Sequence, residues 1–215
     1  MLLRKLEQML HELYALEVGY AVSDFLITDP ELARCLDSGG RQVDEKLLIA
    51  EADGEADVAL YLERELLDRL DRHDPLSKLD GTNLADFWAA LEGVSHFTYY
   101  AWNAARDKAV SLFELELQAE VDKYASALML LTQQRDGEFP AALHAMMFDR
   151  VSYMPQLEQT VRQRYEEANR HAARYCRDLD EKFLRRRQSR PEAWVSELRR
   201  FFRCGHQQKL LAATR

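Results

Sequence analysis

Apolar residues recur every three or four positions along most of this chain. Leu3, Leu6, Leu10, Leu13, Leu16 and Tyr20 set the spacing at once and predict a long amphipathic helix over residues 2–21. Asp29, Pro30 and Glu31 then supply an N-cap acceptor, a proline at the first helical position and an acid in the first turn. They open a short helix that ends before Gly39 and Gly40.

Between Val43 and Leu62 the period drops to two. The runs KLLIAEA and EADVALYL flank Asp53-Gly54, a pair suited to a two-residue type I′ turn because both central positions need positive φ. Folding about that turn sets Ile49 opposite Val58 and Leu47 opposite Leu60, with Leu48, Ala50, Asp57 and Ala59 on the other face. A lone hairpin is marginal, so its apolar face must pack on other elements.

Helical spacing returns from Glu63 through Leu66, Leu67 and Leu70, and Asp74-Pro75 stops it. Asn83 with Asp86 resembles a capping arrangement and opens a helix of about twenty residues, with Phe87, Leu91, Thr98 and Trp102 on one face. The next helix runs from about Ser111 to Gln134, and its seam of Leu117, Val121, Tyr124, Leu128 and Leu131 predicts antiparallel packing on its predecessor. A short helical stretch is expected over 140–150. The longest pattern covers 156–187 after Pro155, and a last helix follows Ser189 and Pro191 and stops at Gly205. The expected fold is mainly α: a multi-helix, bundle-like domain over residues 1–190 with one inserted β-hairpin at about 45–62. Residues 191–215 form a basic C-terminal helical segment packed on the same domain.

Composition agrees. With 47% hydrophobic residues in 215, disorder is excluded, and eight Gly and five Pro are too few for a turn-rich β-sandwich. The initial residues carry Glu7, Glu12 and Glu17, which spoils a signal-peptide core, and no uncharged apolar run is long enough to span a membrane. Cys35, Cys176 and Cys204 are odd in number and far apart, which fits reduced thiols in a cytoplasm.

Charge changes the picture more. Residues 1–150 carry 29 acidic and 14 basic side chains, net −15, whereas 151–215 carry 8 and 15, net +7. Such a split points to an interaction surface. Arg185, Arg186, Arg187, Arg190, Arg199, Arg200 and Arg203, with Trp194, Phe201 and Phe202 among them, have the arginine-plus-aromatic character of an interface core.

A second feature is the spacing Glu92 to His96 and Glu167 to His171, which puts a carboxylate and an imidazole one helical turn apart on one face. Glu116 and Glu120 lie on the helix between them, so the six residues could converge as di-metal carboxylate ligands do, although those sites use Glu-x-x-His rather than the Glu-x-x-x-His found twice here. The aromatic run from His96 to Trp102 points around the whole helix and reads as core; were it to wall a pocket, Trp88, Glu92, His96 and Tyr99 would line one side. Gly-rich phosphate loops, GxSxG and HExxH are absent.

The function expected from sequence is therefore a non-catalytic cytoplasmic interaction or regulatory protein. Its acidic body and basic C-terminal face would bind a protein partner or a second copy. One alternative is a helical metalloprotein or metalloenzyme holding a divalent metal at the Glu/His site. The other is a nucleic-acid-binding accessory protein using the basic face. No other cofactor and no membrane partner is indicated.

Overall fold

The computed structural model describes residues 2–37, 43–52, 55–151, 157–184 and 190–213. The expected mainly helical fold with a small β element is what it contains. Gly39, Gly40, the Asp53-Gly54 turn, Pro155, Ser189 and the run Arg185, Arg186, Arg187 lie outside the described residues.

The first helix, α1 (Leu2–Tyr14), is shorter than its apolar spacing implies. Ala15 takes φ 49°, a left-handed value unusual for a side-chain-bearing residue, and turns the chain out of the helix. Leu16 stays buried, which kept the helical pattern alive in sequence, while Tyr20 is left exposed. A single 3-10 turn at Val22–Asp24 follows, pinned where the Val22 amide donates to Glu7 Oε1 at 2.8 Å.

Strand β1 (Leu26–Ile27) comes next, then helix α2 (Pro30–Leu36), whose N-cap Asp29 accepts from the Glu31 and Leu32 amides. Strands β2 (Glu45–Ala52) and β3 (Glu55–Leu62) pair antiparallel in the expected register, Leu47 with Leu60 and Ile49 with Val58. The hydrophobic pattern did not announce β1, which is two residues long and pairs parallel with β3 through Leu26 and Leu60. Alternation places Glu45, Leu47 and Ile49 on one face of β2. That face packs against helix α4 (Leu84–Ala104). Leu48 and Tyr61 face the other way, beside Pro30 and Ala33 of α2.

Helix α3 (Arg64–Arg72) is tied to α4 by a bidentate Arg69–Asp86 pair, both bonds 2.9 Å. Asn83 does not cap α4. Its side chain accepts from the Asp80 amide and donates to the His73 and Lys78 carbonyls, knitting the preceding loop together. Helix α5 (Leu112–Gln134) starts with a full capping box between Ser111 and Glu114 and packs along α4. Around this pair lie α6 (Leu143–Phe148), α7 (Gln159–Leu179) and α8 (Pro191–Arg203). A π-helical turn, Asp180–Leu184, extends α7. A final short helix, α9 (His206–Ala212), lies beyond the expected stop at Gly205.

The aromatic run of α4 is core: Phe97, Tyr99, Tyr100 and Trp102 are all buried. Among the described residues no helix is long and apolar enough to cross a membrane. The three cysteines are free thiols.

Candidate metal centre

Four elements bring charged side chains to one place, and each does so for a local reason. On α4, Glu92 and His96 are one turn apart and share a face. On α5, Glu116, Glu120 and Lys123 occupy the edge of the leucine seam. On β2, the period of two aims Glu45 at α4, and Gly93 lets it come close: a Cβ at position 93 would sit 2.9 Å from both Glu45 Cγ and Leu60 Cδ1. From α7 comes Arg164.

One potential donor atom from each of Glu92, His96 and Glu116 lies within 4.8 Å of the others, and among the described residues this is the one such group of three. His96 is only 7% exposed, and its two ring nitrogens have different roles. Nδ1 faces Glu45 Oε1 at 3.3 Å, whereas Nε2 lies 3.6 Å from Glu116 Oε2 and is buried without a hydrogen-bond partner. A carboxylate behind one nitrogen orients the ring and, once the ring is neutral, leaves the other nitrogen able to ligate.

Lys123 Nζ bridges Glu92 Oε2 at 2.7 Å and Glu120 Oε1 at 2.8 Å. Glu120 thus stands one lysine away from the donor group rather than in it. Arg164 Nε approaches Glu116 Oε1 at 3.7 Å. Glu167 is exposed on α7, and His171 packs edge-on to Phe113 with ring centres 6.0 Å apart. These two residues do not join the group. Of the six ligands considered from sequence, three converge; the two missed neighbours that shape the site are Glu45 and Arg164. Glu45 was legible from strand parity once β2 was assigned, but Arg164 had no signal beyond its charge.

Titration behaviour follows from this packing. Burial alone would depress the His96 pKa, but Glu45 and Glu116 outweigh it and hold the ring well above its usual value. Burial pushes Glu92 up, and Lys123 with His96 reverses this, so its carboxyl sits below the ordinary range. Glu45 and Glu120 are raised by burial despite their cationic neighbours. Each shift is the balance of burial against the opposite charges packed beside the group.

His96 and Glu116 of the group open onto a cavity of about 500 Å³ walled by β2, α4, α5 and α7. Glu45, His96, Glu116 and Arg164 give it polar ground, and Leu47, Leu112, Leu115 and Val161 give it apolar walls. Of the four residues expected along one side of a pocket, His96 lines it and Trp88, Glu92 and Tyr99 do not. Tyr99 belongs to the opposite side of α4, against Phe202.

No protein-family model, curated protein or solved structure matches the chain.

The arginine-plus-aromatic surface expected at the C-terminus is arranged differently. Trp194, Phe201 and Phe202 are buried, Phe201 stacked on Tyr175 and Phe202 on Tyr14. Arg199 donates to the Glu12 and Leu13 carbonyls, and Arg203 donates to Tyr14 and Ala15, so both cap the end of α1. Arg200 pairs with Glu197. Arg190 is exposed. The aromatic members form core rather than an open interface because α8 is amphipathic and turns its apolar stripe onto α1.

Proposed function

We propose that the protein binds one divalent transition-metal ion per chain through Glu92, His96 Nε2 and Glu116, and presents it to a small molecule in the adjoining cleft. The observation that carries this reading is the buried Nε2 of His96, which lies 3.6 Å from Glu116 Oε2 without a hydrogen bond, in a group with Glu92, while Glu45 holds the opposite nitrogen. A buried polar atom left without a partner is costly, and a metal ion supplies one. One imidazole with two carboxylates suits manganese, iron, cobalt or zinc better than calcium, which prefers six or more oxygens. Three protein ligands beside an open cleft of small-molecule size also fit an ion with free coordination positions rather than a closed structural site.

Ligation requires a deprotonated His96 nitrogen, so metal uptake should weaken as pH falls. The test is a titration of the purified protein, stripped of metal by chelation, with Co(II), followed by its visible absorption and by metal analysis. One ion per chain is expected in the wild type, with uptake reduced at least 100-fold in His96→Ala. Absence of stoichiometric uptake of cobalt, zinc and manganese by the wild type would overturn the reading.

The interaction reading retains support from one surface. Arg170, Arg174 and Arg177 are exposed in a row on α7 beside a groove bounded by Phe148 and Asp178. Binding of an acidic protein or nucleic acid there would weaken steeply with salt and be lost when the three become Gln.

A further inference from the structure

The metal reading leaves a cation facing the cleft. Arg164 Nε is buried without a hydrogen-bond acceptor, its closest carboxylate oxygen being Glu116 Oε1 at 3.7 Å. The guanidinium carbon lies 5.6 Å from the centre of the Tyr165 ring. The other oxygen of Glu116 is the one beside His96 Nε2 at 3.6 Å. A single carboxylate width therefore separates the arginine from the ligating nitrogen.

A metal ion drawing on Glu116 would take up much of that carboxylate's charge, and the arginine would then face the cavity with donors unspent. The group that satisfies both is a ligand oxyanion, one oxygen on an open metal position and the other on the guanidinium. The rest of the cavity narrows the choice. Lys46 is already paired with Asp37, and Glu45, Glu116 and Glu158 all line the space, which opposes a dianion such as a phosphate ester. Leu47, Leu115 and Val161 offer apolar wall, and a cavity of about 500 Å³ is of ligand size.

Resting on the metal reading, we infer that the cleft binds a monocarboxylate with an apolar chain, its head held between the metal and Arg164 and its chain laid along Leu47, Leu115 and Val161. Arg164 is then the residue that selects a carboxylate.

The experiment uses the cobalt-loaded full chain, titrated with acetate, butanoate, hexanoate, octanoate and inorganic phosphate, and read by calorimetry and by the cobalt visible band. Affinity is expected to rise with chain length, up to roughly fourfold per added methylene, as expected for burial of each CH₂. Octanoate should perturb the cobalt band. Arg164→Gln should take up cobalt like the wild type yet bind octanoate at least tenfold more weakly, with the chain-length increment retained; Arg164→Lys should recover part of the loss. A flat chain-length series, equal octanoate binding in Arg164→Gln, or phosphate binding more tightly than octanoate would overturn the carboxylate assignment while leaving the metal site standing. Failure of the wild type to take up cobalt would overturn both.

Discussion

Helices α4 and α5 each carry neighbouring residues into two different charged clusters. His96 and Lys123 belong to the candidate metal cluster beside the cleft, while Ser95 and Asp122, one position before each, face the opposite interior. In that second cluster Asp122 accepts from Ser95 at 2.5 Å, from Gln118 at 2.7 Å and from Tyr14. The Gln118 carbonyl in turn accepts from Lys209, which α9 inserts between the faces of Tyr99 and Phe201, 4.4 and 4.5 Å from their centres. Lys209 and Gln118 are fully buried and Asp122 nearly so. Asp122, Gln118, Tyr14 and Lys209 of the sealed cluster each have a hydrogen-bond partner; the cleft cluster has a buried imidazole nitrogen and a guanidinium nitrogen without acceptors. A saturated network fastens helices, whereas an incomplete one beside a cavity is built for something that arrives.

The contrast breaks most sharply at Asp122. Asp122→Ala should cost about 3–5 kcal/mol in urea unfolding, because it strands Lys209, Tyr14 and Ser95 in the interior. If the variant folds, its cobalt affinity should stay near that of the wild type. Equal loss of stability and of metal binding would mean that the two clusters are one unit.

Glu45→Gln should act the other way. Metal affinity is expected to fall about 10- to 100-fold, with little change in unfolding, since the amide no longer anchors the imidazole as a carboxylate does. Cobalt titration beside urea unfolding separates the two effects.

A third test uses protons on the sealed side. Burial lowers the Lys209 pKa, against the pull of Asp122, below its unfolded value near 10.5. Between its folded value of about 7 and 10.5 the unfolded chain therefore binds more protons at this position, so the Lys209 contribution makes stability rise with pH across that window. Lys209→Met should flatten that rise by up to about 1.4 kcal/mol per pH unit, measured as unfolding free energy from neutral pH upward. Unchanged slopes would place the charge of Lys209 outside the folding equilibrium.

The smallest effect expected is at Gly93. Alanine normally stabilises a helix interior by about 1 kcal/mol over glycine. Here the Cβ would meet Glu45 and Leu60, so Gly93→Ala should instead destabilise by about 1 kcal/mol and weaken metal binding by pushing Glu45 off His96.

What the sequence revealed follows from the range of each interaction. Hairpin register was readable because alternation and a two-residue connection leave little choice, and the α4–α5 pair because both helices carry long apolar seams. The end of α1 was not, since Leu16 keeps helical spacing after Ala15 has left the helix. Helix α9 was invisible for a deeper reason: it buries Lys209 and exposes Leu211, the reverse of what polarity predicts. At the cleft, the Glu92 to His96 spacing is local and could be read, whereas Glu45 lies 51 residues from His96 and Arg164 joins only when α7 packs on α5.

The joint around Asp122 has a kinetic consequence. It gathers Tyr14 from 108 residues upstream of Asp122 and, through Gln118, Lys209 from 91 residues downstream of that glutamine. A chain emerging from the ribosome can form the α4–α5 hairpin early, but its buried carboxylate has no cation until α9 has been synthesised. Long loops must close before that contact forms, so docking of α9 is expected to be a late event in folding, and nascent chains lacking it should be the ones open to proteases and chaperones.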